Sequence, residues 1–145
     1  MDLWQVFVES VTREFAFLED EFSLLRKTTA KPVVNYESDR LRVSIFYDSD
    51  RSHELDIGIR RLTDEPRNVP SIGLSELMQL VDKEAGLAYR LSYPANEMDL
   101  ETEVRRQADL LRKYGDDLLR NKESVFAGVR DLNRQREREI RERNA

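Results

Sequence analysis

The chain has 145 residues and a net charge of −5, from 24 Lys and Arg against 29 Asp and Glu. That length fits one domain, able to bury roughly 70% of the surface its unfolded form exposes and so to fold without metals or staples. The absence of cysteine excludes disulfides, zinc ribbons, iron–sulfur clusters and thiol nucleophiles, and the single histidine, His53, confines any imidazole chemistry to one place.

From residue 2 to residue 20 the apolar side chains Leu3, Phe7, Val11, Phe15 and Leu18 recur at helical spacing, with Trp4, Val6 and Val8 widening the stripe. This predicts an amphipathic helix with Asp2 near its positive end. An acid at the second position, with no basic segment and no small-residue cleavage site, does not resemble a secretion signal. The apolar runs fall far short of the roughly 20 residues that cross a bilayer, so the expected location is the cytoplasm and no membrane partner is expected.

A weakly alternating segment at 22–28 is a candidate first strand. Period-two alternation is clearer at 33–37, 41–47 and 54–60, which predicts half-buried strands. Ser38 and Asp39 make a two-residue turn that places Glu37 opposite Arg40, Tyr36 opposite Leu41 and Val34 opposite Val43. The turn formers at 48–53 close a second hairpin. Keeping Leu55, Ile57 and Ile59 inward pairs Ile45 with Ile57, and therefore Phe46 with Asp56, Ser44 with Gly58 and Arg42 with Arg60 on the outer face, with Asn35 beside Arg42. Two prolines and no alternation take residues 63–70 out of the sheet as a loop.

Leu74, Leu77, Leu80 and Val81 share one face of a short helix, and Gly86 and Pro94 bracket a connection. A long helix over 97–114 aligns Leu100, Val104, Ala108 and Leu111, with Gly115 as a left-handed stop. Leu118 and Leu119 fall in a helical turn before a last helix that starts near Ser124, whose stripe of Val125, Val129 and Leu132 then thins. Strands that cluster instead of alternating with helices predict an α+β fold: an N-terminal helix, an antiparallel meander of three or four strands, then three helical segments on one sheet face. Residues 1–133 are the expected domain, and 134–145 a charged, weakly packed helical tail. Acids precede bases by four residues there at Glu137–Arg141 and Glu139–Arg143, the favourable order for ion pairs.

Two clusters could carry chemistry. Asp48, Asp50, His53 and Glu54 gather four potential metal ligands at the hairpin tip, of the hard-oxygen type that suits magnesium, manganese or calcium. They lack the spacing of a calcium loop, and polar residues at a hairpin tip are ordinary turn chemistry. Arg42, Phe46 and Arg60 share the outer sheet face, where two opposed arginines call for an anionic neighbour such as Glu37 or Asp56, or for a partner. No phosphate loop, nucleophile elbow or His-Glu-x-x-His occurs, and no cofactor is implied. Mixed charge at 130–145 and an acidic whole argue against nucleic acid; one outward aromatic, Phe46, is a meagre platform for RNA.

The segments Tyr36-Glu37-Ser38, Leu41-x-Val43-x-x-x-Tyr47-Asp48, Glu54-x-x-Ile57-x-Ile59, Leu74-x-Glu76-Leu77 and the run from Leu110 to Arg120 resemble a set of uncharacterised small bacterial proteins. The resemblance assigns no activity, cofactor or catalytic residue. Its members are similar in size and layout to immunity proteins that neutralise bacterial toxins. Negative charge, the lack of a cofactor motif and an ordered fold predict a non-enzymatic, immunity-like binding protein that engages a basic protein partner through its sheet face or an acidic helical surface. The alternative is a metal-dependent hydrolase or nuclease at the hairpin tip. A homo-oligomer through the C-terminal helix stays open.

Overall fold

A computed structural model describes residues 2–62 and 71–144. The N-terminal stripe folds as two helices, α1 (Leu3–Glu14) and α2 (Ala16–Asp20), where a single helix was expected. Asp2 caps the first, accepting from the Gln5 N–H at 2.9 Å. The break falls at Phe15, whose ψ of 15° leaves the helical range. A straight helix would set Phe15 and Phe17 about 200° apart. With the break, Phe15, Phe17 and Leu18 are all buried.

Five strands follow, β1 (Leu25–Ala30), β2 (Val33–Glu37), β3 (Leu41–Tyr47), β4 (Leu55–Arg61) and β5 (Ile72–Gly73), antiparallel and in sequence order. The first strand lies three residues later than the weak alternation suggested, and every one of its residues is exposed. Its pairing with β2 skips Lys27, a bulge between Arg26 and Thr28. β5 was not expected, being two residues long; the predicted loop over 63–70 lies outside the described residues.

The β3–β4 register is the predicted one, with Ile45 opposite Ile57 and Arg42 opposite Arg60. The β2–β3 register is displaced by two residues: Glu37 faces Arg42, Tyr36 faces Val43 and Val34 faces Ile45. The cause is Ser38, whose hydroxyl accepts the Arg40 and Leu41 N–H groups at 3.1 Å and whose N–H bonds the Leu41 carbonyl, making a longer turn. A shift of two keeps every side chain on its predicted face, so the core survives the error. Asn35 consequently faces Ser44, not Arg42, and accepts its hydroxyl at 2.6 Å.

Val34, Tyr36, Val43, Ile45, Tyr47, Leu55, Ile57 and Ile59 form the buried face. Phe7 of α1 stacks on Tyr47 with ring centroids 5.3 Å apart. Beyond the sheet come α3 (Leu74–Val81), α4 (Lys83–Ala88), α5 (Glu97–Tyr114), α6 (Asp116–Leu119) and α7 (Glu123–Arg143). α5 packs against α1 through the expected stripe of Leu100, Val104, Ala108 and Leu111. Each of the leucine and valine side chains contributes roughly 1.5–3 kcal/mol through removal from water. The connection expected between Gly86 and Pro94 begins inside α4, which Asp82 caps by accepting from the Ala85 N–H at 3.2 Å.

Gly115 ends α5 with φ −103°, not in the left-handed region. Its need for glycine is spatial, since a Cβ there would stand 2.6 Å from the Leu111 carbonyl oxygen. α7 is one continuous helix that docks by its first half, burying Phe126 and Val129. Over 134–143 every residue is exposed except half-buried Arg136, which comes within 3.9 Å of Glu76. Along that stretch Arg134 lies 3.7 Å from Asp131 and Gln135 donates to Glu139, in place of the two expected i,i+4 pairs. No helix among the described residues is long and apolar enough to cross a membrane.

Candidate functional site

Of the two predicted clusters, the hairpin tip is a self-contained turn. Asp48 accepts from the N–H groups of Asp50, Arg51 and Ser52 at 3.3, 3.1 and 3.1 Å and from the Ser52 hydroxyl at 3.0 Å. The Ser52 bonds, ahead of the others, hold its carboxyl below the usual carboxylate range. Asp50 turns to Lys31 at 3.6 Å. His53 takes a left-handed φ of 61° and sets its Nδ1 3.4 Å from the Tyr47 hydroxyl, whose main bond is to the Pro94 carbonyl at 2.7 Å. Glu54 donates its N–H to the Ser52 hydroxyl at 3.2 Å. Among the described residues no group of three or more His, Asp or Glu side chains is gathered to hold a metal ion.

Arg42, Phe46 and Arg60 share the outer sheet face in the predicted register, with Arg42 opposite Arg60 and Phe46 four residues along β3, opposite Asp56. Arg42 is paired with Glu37, directly across from it on β2, so the acid named as its neutraliser is in place. Arg60 is half-buried and also engaged. Phe46 is 40% exposed, and it borders a feature that sequence reasoning missed.

That feature is a groove of about 630 Å³ between the outer face of β4, the first turn of α3 and the segment 89–93. It exists because β4 has a gap in its edge pairing. Leu55 bonds the Ser92 carbonyl at 3.0 Å, and Gly58 and Ile59 pair with β5. Between them the Ile57 N–H is taken by the carboxylate of its own neighbour, Asp56, at 2.8 Å. Burial pushes the Asp56 carboxyl above its ordinary range, with Glu54 and Glu76 acting in the same direction against the Ile57 bond.

Glu76, in the first turn of α3, accepts the Gly73 N–H at 3.1 Å and so closes the helix start. Tyr89 is fixed from behind by Gln107, a wholly buried residue of α5 whose amide donates to the Tyr89 hydroxyl at 2.6 Å. Arg90 donates to the Leu87 and Tyr89 carbonyls at 2.8 and 3.0 Å, capping the end of α4. Tyr93 stands 57% exposed at the mouth. The position of Asp56 opposite Phe46 was legible in the strand register. The tyrosines were not, because they lie in a connection whose path no periodicity fixes.

The chain matches no family model, no curated protein and no solved structure.

Proposed function

We propose that this chain is a non-enzymatic, cytoplasmic protein-binding protein of immunity-like type, which engages a basic protein partner through the outer sheet face around the groove. The observation that carries this reading is the groove itself: aromatic side chains around the Asp56 carboxylate, on which Glu54 and Glu76 act with like charge. A net charge of −5 supports it, since an acidic surface accelerates encounter with a basic protein. The outward Phe46 supplies apolar area at the edge of the same surface, of the kind that anchors interfaces.

Affinity capture from the source cell with the intact chain tests the reading. It should retain a specific protein of basic composition, less strongly as salt rises from low to moderate ionic strength. Retention of no specific protein at either ionic strength overturns it.

A further inference from the structure

The groove has an unbalanced charge. Among the described residues Asp56 takes a hydrogen bond from the Ile57 N–H, and the charges that act on its carboxyl are those of Glu54 and Glu76. Arg90 lines the groove and bonds the Leu87 and Tyr89 carbonyls through one guanidinium nitrogen, and Arg136 lies 3.9 Å from the Glu76 oxygen that does not bond Gly73. An anionic ligand would meet a like charge here, and an apolar one would bury Asp56 unpaired.

We propose that the groove is a socket for one arginine side chain of a protein partner, with Asp56 as its anionic contact and Phe46 and Tyr93 as its stacking platforms. This rests on the reading of the chain as a protein-binding protein. A guanidinium fits better than an ammonium because it is planar, weakly hydrated and able to meet a carboxylate and an aromatic face together. The protein uses that combination internally: Arg112 lies 4.9 Å from the Phe17 ring centre while pairing with Glu21, and Arg61 lies over Phe126 while pairing with Glu123. Tyr89 already carries Arg106 at 5.5 Å, which leaves Phe46 and Tyr93 for an incoming group. Gly58 keeps the floor low, since its missing Cβ would sit 3.9 Å from the Phe46 ring and 3.2 Å from Ser71.

The test is a titration of the ¹⁵N-labelled full chain, at low salt, with the N-acetyl methylamides of arginine, lysine and citrulline, followed by amide shifts. Arginine should move amides around Ile57, Gly58, Gly73 and Leu91 and saturate, lysine should bind more weakly, and the neutral isostere citrulline should not bind. Asp56→Asn keeps an acceptor for the Ile57 N–H and should weaken arginine binding about tenfold or more. Phe46→Ala and Tyr93→Ala should also weaken it. Shifts that are equal for the three probes, that fall away from the groove, or that persist unchanged in Asp56→Asn overturn the socket. A captured partner whose binding ignores Asp56→Asn also overturns the socket and leaves the protein-binding reading standing. Specific arginine binding with no captured partner does the reverse.

Discussion

The Arg61 guanidinium lies 4.1 Å from the centre of the Phe126 ring, while its nitrogen pairs with Glu123 one turn earlier on α7. Arg61 has the inward parity of β4 and is only 9% exposed. The last helix is thus fastened to the end of a core strand by an ion pair and a ring contact at one residue.

Truncating Phe126→Ala should lower the unfolding free energy by about 3–4 kcal/mol, because a buried ring is lost and the Arg61 stem loses its support. Arg61→Met keeps an apolar stem and should cost less. Equilibrium urea unfolding of the two variants measures the difference; two negligible effects would mean that α7 is not docked there.

Gln107 and Tyr89 should be energetically coupled. Gln107→Leu strands the Tyr89 hydroxyl and Tyr89→Phe strands the Gln107 amide, each costing about 1–2 kcal/mol. The double variant removes both polar groups and should fall well short of the sum. A double-mutant cycle by chemical denaturation reads the coupling directly, and additive effects would contradict it.

Asp48 makes the tip of the β3–β4 hairpin sensitive to acid. Its carboxyl is held below the ordinary range in the folded chain, chiefly by the Ser52 bonds. That stabilisation is fully present above the unfolded value and is lost as pH falls through the folded one. Asp48→Ala should therefore lower Tm at neutral pH, and the gap from the native chain should close in acid. Melting curves across the carboxylate range check the sign; a gap that widens in acid would refute it.

Deletion of residues 134–145 should change the unfolding free energy by no more than about 0.5 kcal/mol, since exposed residues away from packed features rarely matter more. The Arg136–Glu76 approach at 3.9 Å is a half-exposed contact of the weak class. Calorimetry together with size-exclusion chromatography decides; unfolding of the truncated chain, or a change in its oligomeric state, would show that the tail packs on the body or on a second copy.

The strands and the long helix were legible in the sequence because alternation and the three-to-four spacing are direct images of one-sided burial. The register between β3 and β4 followed from keeping Leu55, Ile57 and Ile59 inward. The turn at Ser38 is not legible in the sequence, as its length depends on a hydroxyl bonding two N–H groups, which no hydrophobic pattern encodes. Phe15 was read as part of one helix because its spacing fits; only the joint burial of Phe15 and Phe17 reveals the break. Of the groove, Phe46 and Asp56 were visible as neighbours across strands. Glu76 reaches it from the first turn of α3, and Tyr89 and Tyr93 through tertiary placement of a short connection, where local sequence carries little positional information.

The bulge at Lys27 has a bearing on how the chain behaves when crowded. β1 is an outer strand with all six residues exposed, and such a margin is a template on which another chain can extend the sheet. Lys27 interrupts the regular spacing of N–H and C=O groups in the middle of that margin and brings an ammonium that a docking strand would have to strip of water, while Pro32 stands just past its end. Among the described residues the opposite margin is the two residues of β5, with one bridge from Leu55 to Ser92. The sheet is guarded against fibrillar growth on the one side long enough to seed it, by the extra residue in β1 and the proline just past the end of that strand.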